Sequence, residues 1–321
     1  MRKLFLLFLI AAAGGGWLFL QKYRIEGLDR FMIKPRLADG SVADDASSQT
    51  IARANGAIRI ASWEVAHFDL AKLGRPPALK SLVDVIRRFD VVAVQGIVEP
   101  RDDLLPRFVE ELNASGRHYD YIIGPRMSRA PGGEQLAFLY DAASIDVDRT
   151  AVYTVDDPGR VFRRDPLVAS FSVRGLSPAE AFTFTLVNVH VEPDRNHTEL
   201  DALADVYRAV RGDGRDEDDV IVLGDLGADD HHLGLIGQLP LMTAALSGTP
   251  TATRGTKMLD NILFNRQATT EFTARAGVLD LLHDLHLTMA QALDVSDHLP
   301  IWAEFSIYEG GQPGRLASQM R

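Results

Sequence analysis

The sequence predicts a single α/β domain of mixed parallel and antiparallel sheets over residues 57–309. Three observations support this fold class. Short segments rich in Val, Ile and Phe are bounded by turn residues, as is typical of strands. Other segments place apolar residues three and four positions apart, which is typical of helices. The two kinds interleave without the strict alternation of a parallel barrel, so layered mixed sheets fit better.

Eight segments are predicted to be strands because they are short, apolar and β-branched. In chain order they are Ile58–Val65, Val91–Ile97, Tyr119–Ile123, Gln135–Tyr140, Ala181–Val191, Val220–Leu223, Met258–Phe264 and Leu299–Ser306. Helices are predicted over Pro77–Arg88 and Glu199–Val210, where the apolar spacing is helical. The acidic run Asp213–Asp219 is interpreted as a solvated turn.

The composition is that of a globular protein. Of the 321 residues, 46% are hydrophobic and 24% are charged, and the length suffices for a substantial core. The formal net charge is −10, and no long run of Lys or Arg occurs, so a wide basic surface for nucleic acid is excluded. The absence of Cys excludes disulfides and thiolate metal sites.

Residues 1–30 are predicted to form an N-terminal apolar helix that anchors the chain in a membrane. An uncharged run from Leu4 to Leu20 is flanked by basic residues and is close to the lower limit of about 17 residues for a spanning helix. A cleaved signal peptide is the alternative, since Ala11–Gly14 resembles a cleavage site. The anchor is favoured because the apolar run continues beyond that site.

The parts outside the domain complete this organisation. Residues 31–56 are small and polar and are predicted to be a linker, and residues 310–321 are predicted to be a flexible tail. An N-terminal anchor predicts that the domain lies on the external side of the membrane. A cleaved signal would instead make the protein secreted.

Polar residues stand at the ends of several predicted strands, where α/β folds gather their sites. Taken singly, each is as well explained by a turn or by a hydrogen-bonded structural residue. Together they include two histidines and several carboxylates, which turns alone do not explain. These residues are Glu134, His190, Asp225, Asp260, Asp297 and His298.

The motifs, in their order, resemble the endonuclease/exonuclease/phosphatase superfamily, and DNase I-like nucleases in particular. The segments that carry the resemblance are RIASWEVAHF, FDVVAVQGI, EQLAFLY, LVNVHVEPD, VIVLGDLGAD, LDNILF and VSDHLPIWAEF. They extend from Arg59 to about Glu309. The resemblance implies a four-layer αββα sandwich and hydrolysis of phosphate esters, DNA among them, with Mg²⁺ or a similar divalent cation.

The resemblance also implies roles for the polar residues. His298 with Asp260, and His190 with Glu134, would be two His–carboxylate pairs that carry out acid–base catalysis. Asp225 would lie beside the phosphate as part of the catalytic set, and Asp297 would lie beside the metal.

Three positions depart from the family pattern. Glu64 stands where the family has asparagine, Gly96 where it has the principal metal carboxylate, and Gly227 where it has a phosphate-facing asparagine. Because Mg²⁺ requires oxygen ligands in near-octahedral geometry, the departures predict a weak or lost metal site. The alternative is that Glu64 is itself a metal ligand and leans into the space vacated at Gly96.

The leading hypothesis is therefore an impaired, metal-dependent phosphodiester hydrolase of the DNase type. A catalytically degenerate, membrane-tethered binding module with an unidentified protein partner is the first alternative. A phosphomonoesterase or a lipid-headgroup hydrolase is the second, since such enzymes share the fold and suit a membrane tether.

Overall fold

The structure is a computed structural model that describes residues 23–26, 32–35, 56–127 and 133–311. The chain divides into two compact units, Met1–Gln49 and Thr50–Arg321. In the first unit, β1 (Tyr23–Glu26) and β2 (Met32–Pro35) pair in antiparallel fashion. Of residues 1–30, predicted as the anchor, the structure describes only the strand β1; the apolar run Leu4–Leu20, the rest of the linker and the tail beyond Gly311 lie outside the described residues. Among the described helices, none has the length and apolarity needed to span a bilayer.

The second unit is built on two six-stranded mixed sheets. Sheet 1 contains β3 (Ala57–Phe68), β4 (Val91–Ile97), β5 (Tyr119–Ile123), β6 (Gln135–Asp141), β13 (Phe272–Val278) and β14 (Ile301–Ser306). Sheet 2 contains β7 (Ile145–Thr154), β8 (Leu167–Val173), β9 (Thr183–His190), β10 (Val220–Asp225), β11 (Met242–Ala244) and β12 (Asp260–Asn265). The spatial orders are β13-β14-β3-β4-β6-β5 and β11-β12-β10-β9-β8-β7.

Helices follow the strands along the second unit. They are α1 (Leu70–Leu73), α2 (Pro76–Ile86), α3 (Leu104–Asn113), α4 (Asn196–Arg211), α5 (Gly234–Gly237), α6 (Leu281–Asp284) and α7 (Met289–Val295). Helix α2 begins at two prolines, which have no N–H to leave unsatisfied in the first turn. Helix α7 begins with a capping box, in which Thr288 and Gln291 bond each other's backbone N–H groups.

The core forms layers. Between the sheets, Phe138 of β6 meets Phe171 of β8 edge to face with ring centroids 5.4 Å apart. Helix α2 adds Leu82, Val85 and Ile86 to the same apolar cluster. A second cluster joins sheet 2 to the apolar face of α4, and each large side chain buried there contributes roughly 1.5–3 kcal/mol. The four-layer αββα sandwich implied by the resemblance is confirmed.

All eight predicted strands are present, and α2 and α4 confirm the two predicted helices. Six described strands were not predicted: β1 and β2 of the first unit, and four strands of the second unit. Strands β7, β11 and β13 lie at sheet edges, and β7 carries exposed charged residues that hide the strand pattern. Strand β8 lies inside sheet 2, but its apolar run is interrupted by serines.

The topology brings the predicted site residues to one edge of the sandwich. Strand β3 is parallel to β4, and β9 is parallel to β10, so the carboxyl ends of each pair lie side by side. His190 and Asp225 are the last residues of β9 and β10 and are partners in the ladder. Strand β12 runs antiparallel to β10, which places its first residue, Asp260, opposite Asp225.

Candidate active site

His190 and Glu134 form the first His–carboxylate pair. The Nδ1 atom of His190 lies 2.6 Å from Oε1 of Glu134. The same oxygen accepts a 3.0 Å hydrogen bond from the backbone N–H of Gly96, and Oε2 accepts one from the guanidinium of Arg164. Glu134 therefore holds the imidazole by Nδ1 and leaves Nε2 facing the space beside Asp225, which we call the cleft.

The charges of this pair stabilise each other. Burial raises the pKa of Glu134, but the hydrogen bond and charge of His190, with Arg164, outweigh burial and lower the pKa overall. Burial lowers the pKa of His190, and the bond to Glu134 reverses this effect and raises it. Glu134 is therefore ionised, and His190 beside it is readily protonated.

His298 and Asp260 form the second pair. The Nδ1 atom of His298 lies 3.1 and 3.0 Å from the two carboxylate oxygens of Asp260. Thr251 donates to the same carboxylate at 2.7 Å and fixes it from the far side. Burial lowers the pKa of His298, but Asp260, with Asp225 and Glu64, outweighs burial and raises the pKa to about 10.

Asp225 lies between the two imidazoles. Its Oδ2 atom is 3.6 Å from Nε2 of His190 and 3.9 Å from Nε2 of His298. Its Oδ1 atom accepts a 2.8 Å hydrogen bond from the backbone N–H of Gly227. Burial, then the charge of Asp260, raises the pKa of Asp225. Both free imidazole nitrogens therefore face one carboxylate, which is a geometry suited to two proton transfers at one substrate.

Glu64 occupies the volume that a side chain at position 96 would fill. A Cβ atom built on Gly96 would stand 2.6 Å from Oε1 of Glu64 and 2.4 Å from the carbonyl oxygen of Val65. Gly96 also has a φ of +81°, which L side chains rarely adopt. This is the placement that the hypothesis of a substitute carboxylate requires. The family carboxylate at position 96 could not be accommodated on this backbone beside Glu64.

The residues around Glu64 fit a divalent cation. Ligand atoms of Glu64, Asp297 and His298 lie within 4.8 Å of one another, and Asp297 is exposed while Glu64 is buried. In the described part of the chain, no Lys or Arg forms an ion pair with Glu64, and the buried ammonium of Lys72 donates to the carbonyl oxygens of Ala66 and Val295. Burial raises the pKa of Glu64 to about 7. A carboxylate in this environment gains from a cation, since burial alone opposes its charge.

The backbone at Gly227 could still accommodate the asparagine that the family has at this position. Gly227 has a φ of +58°, and only Cβ of Asn196, at 3.9 Å, lies near the place of an added Cβ. Asparagine tolerates this conformation, so the family residue would fit. A groove of about 600 Å³ opens beside Gly227 and is lined in part by Asn196, His197 and Lys257. Polar side chains thus lie next to the position of the missing amide.

The structure brings together every residue that the sequence marked for the site, and it adds residues that the sequence did not mark. Arg164 binds Glu134 and, at 3.0 Å, Glu192. It lies in a loop before β8, where no periodic pattern identifies it. Gln95 donates to Asn188 at 2.7 Å and so connects the two sheets beneath the site. Asn188, a fully buried amide between two valines of β9, is a signal that could have identified this contact.

Comparisons with known proteins agree with this geometry. A sequence model described as the endonuclease/exonuclease/phosphatase family matches residues 61–298. Deoxyribonuclease-1-like 1 of Bos taurus is 30% identical over 280 residues, covering 81% of this chain and 85% of the relative. Deoxyribonuclease gamma of Homo sapiens is 29% identical over 272 residues, covering 76% and 85% respectively.

Solved structures share the fold. An endonuclease/exonuclease/phosphatase family protein from Bacteroides thetaiotaomicron has a TM-score of 0.55 at 16% identity, over 77% of this chain and 94% of that one. The human Nocturnin catalytic domain with bound sulfate also has a TM-score of 0.55, at 15% identity, over 80% and 97%. At these identities the similarity speaks for the fold alone.

Proposed function

The chain belongs to the DNase I-like endonuclease/exonuclease/phosphatase superfamily, and from this premise we propose that it is a divalent-metal-dependent phosphodiesterase that cleaves DNA. A nuclease or phosphodiesterase type of function follows from the resemblance to deoxyribonucleases. The observation that carries the proposal of an active site is the position of the Glu64 carboxylate in the side-chain volume of Gly96. That carboxylate lies beside two complete His–carboxylate pairs.

Glu64 and Asp297 are the residues that would hold the cation, which we take to be Mg²⁺ or a similar hard ion because the donors are carboxylate oxygens. Such an ion polarises the phosphate and offsets its negative charge. Asp297 is exposed and Glu64 is buried, so a cation would enter from the side of Asp297.

His190 and His298 carry the proton transfers in this proposal. Each is held at Nδ1 by a carboxylate and presents Nε2 to the cleft, so one can accept the proton of the attacking water while the other donates to the leaving oxygen. Asp225, close to both Nε2 atoms, orients the reacting groups.

DNA is the proposed substrate because the similar curated proteins are named deoxyribonucleases. The net charge of −10 limits the contact to a few phosphates in the cleft and the adjoining groove. We therefore expect nicking to depend only weakly on salt, since each neutralised phosphate contributes about one unit to the slope of log affinity against log salt.

The test is nicking of supercoiled plasmid by the full-length chain in detergent, with Mg²⁺ or Mn²⁺ titrated from a chelated start. We expect nicking that saturates with metal and disappears in EDTA. Glu64→Gln should abolish both saturable metal binding and nicking, because it removes the charge and keeps the shape. Glu110→Gln, on the exposed face of α3, is the control and should change neither.

An impaired enzyme, or a degenerate binding module, is the competing proposal. Gly96 supplies no carboxylate and Gly227 no amide, and loss of a donor that stabilises transition-state charge can cost about 3–4 kcal/mol. Under this proposal the wild type neither binds metal saturably nor nicks plasmid. That result would reject the active site proposed above.

We further propose that residues 1–30 tether the domain to the external side of a membrane. An uncleaved anchor predicts that the protein stays in the membrane fraction after a carbonate wash and retains its N-terminal residues by mass spectrometry. Recovery of a soluble chain that begins after Ala13 would favour a cleaved signal and secretion.

A further inference from the structure

Three carboxylates converge at the end of the sandwich opposite the candidate active site. Asp219 directly precedes β10, Glu271 directly precedes β13, and Glu309 follows β14. Their ligand oxygens lie within 4.8 Å of one another. We call these three residues the acidic cage. Asp219 belongs to sheet 2 and the other two flank strands of sheet 1, so the acidic cage bridges the sheets.

The acidic cage is buried and incompletely bonded. Asp219 and Glu271 are each only 1% exposed. By normal hydrogen-bond geometry, Oδ1 of Asp219, Oε2 of Glu271 and the buried hydroxyl of Thr269 have no partner among the described residues, and the three groups lie close enough to interact only with one another. Buried oxygens of this kind are rare in folded proteins and call for a partner such as an ion or water.

No basic side chain in the described part of the chain compensates this charge. Within residues 56–127 and 133–311, no Lys, Arg or His forms an ion pair with the acidic cage, and the nearby Arg211 pairs with the exposed Asp218. Burial and then the charge of Glu271 raise the pKa of Asp219 to about 9, and burial raises the pKa of Glu309 to about 7. Two buried carboxylates and the half-buried Glu309 oppose folding unless protons or a bound ion neutralise them.

We propose that the acidic cage is a structural calcium site that links the two sheets. All its donors are oxygens, which hard divalent cations prefer. Mg²⁺ usually retains several water ligands, and the burial of Asp219 and Glu271 leaves little room for them. Ca²⁺ accepts irregular sets of carboxylate, hydroxyl and carbonyl oxygens, and Thr269 supplies a hydroxyl nearby.

Calcium binding is measured on the full-length chain in detergent. A background carrying Glu64→Gln and Asp297→Asn removes the candidate hydrolytic metal site, so that the remaining binding reports the acidic cage. We expect one equivalent of Ca²⁺ by calorimetric titration. At Ca²⁺ about 100-fold above Kd, the unfolding midpoint should rise on the order of 5–10 °C for a domain of this size.

Variants of the acidic cage complete the test. Asp219→Asn and Glu271→Gln in the same background should each lose the calcium-induced shift, whereas Asp216→Asn, an exposed residue of the same turn, should retain it. In chelator, Asp219→Asn should be at least as stable as its background, because it removes a buried charge. This check separates loss of the site from failure to fold.

Either of two results would overturn the proposal. The first is that the background protein shows no saturable Ca²⁺ binding. If Asp219→Asn is then also more stable in chelator, the carboxyl groups share protons instead of holding an ion. The other is binding that persists in both cage variants. Neither result affects the proposed nuclease activity, because nicking is measured on chains with an intact Glu64.

Discussion

Replacing Gly96 with alanine tests whether Glu64 fills the side-chain volume of position 96. At a φ of +81°, an L residue costs roughly 1–2 kcal/mol relative to glycine. The added Cβ would also stand 2.4 Å from the carbonyl oxygen of Val65 and 2.6 Å from Oε1 of Glu64. Overpacking of this kind costs about 1–3 kcal/mol. We therefore expect Gly96→Ala to lower the unfolding free energy by about 2–5 kcal/mol.

Gly116 supplies a matched control. Its φ of +79° is nearly that of Gly96, but no atom lies within 4 Å of the place of its Cβ. Gly116→Ala therefore carries the backbone cost without the contacts. The difference between the two variants isolates the crowding by Val65 and Glu64, and we expect it to be about 1–3 kcal/mol.

Urea denaturation of both variants measures these losses, and metal titration measures the consequence for the site. Because the new methyl group displaces the Glu64 carboxylate, Gly96→Ala should also weaken binding of the divalent cation, whereas Gly116→Ala should not. If the two variants lose the same stability within about 0.5 kcal/mol and bind metal equally well, Glu64 does not occupy this volume. The proposal of a substitute ligand would then lack its geometric basis.

Three further predictions follow from the contacts described. His298→Asn keeps a donor near Asp260 but removes Nε2, so turnover should fall about 10²–10⁴-fold while the melting temperature changes little. A parallel loss of stability and turnover would indicate that the histidine is structural. Asn188→Ala removes the buried hydrogen bonds to Gln95 and to the carbonyl oxygen of Ala137, and should lower the free energy of unfolding, measured in urea, by about 2–4 kcal/mol. A loss below about 1 kcal/mol would contradict a bridging role. In chelator, the pKa of Asp219 is about 9 in the native state and 3.8 ordinarily, so the native state holds a proton that the unfolded state loses, and ionisation destabilises the fold. The stability advantage of Asp219→Asn over wild type should therefore grow as the pH rises from about 4 to about 9. A difference that does not change with pH would refute the burial argument.

The sequence predicted the interior strands well and the edges poorly. A strand buried on both faces, such as β10, is a continuous apolar run that stands out in the sequence. Edge strands expose more of their surface to water, and in β7 the charged residues Asp146, Asp148 and Arg149 cancel the apolar signal. The class of fold was predictable because the interior strands carry most of the pattern.

The candidate site was predictable to the extent that it follows strand ends. His190 and Asp225 close two parallel strands, and elementary sheet geometry then brings them together. Arg164 was not predictable, since a loop determines its position. The acidic cage was not predictable either, and the interpretation of Asp213–Asp219 as a solvated turn is wrong at its last residue, because Asp219 is buried against Glu271 from a distant part of the chain.

The contact between Glu64 and Gly96 has an evolutionary consequence. On the neighbouring strands β3 and β4, the Glu64 carboxylate lies where a Cβ at position 96 would stand, and the carbonyl oxygen of Val65 closes the same space on this backbone. A glutamate at 64 is therefore tolerated only with glycine at 96, and a side chain at 96 would need both a shorter residue at 64 and a shifted backbone at Val65. The two substitutions are therefore epistatic, and in related chains these positions should covary as a pair.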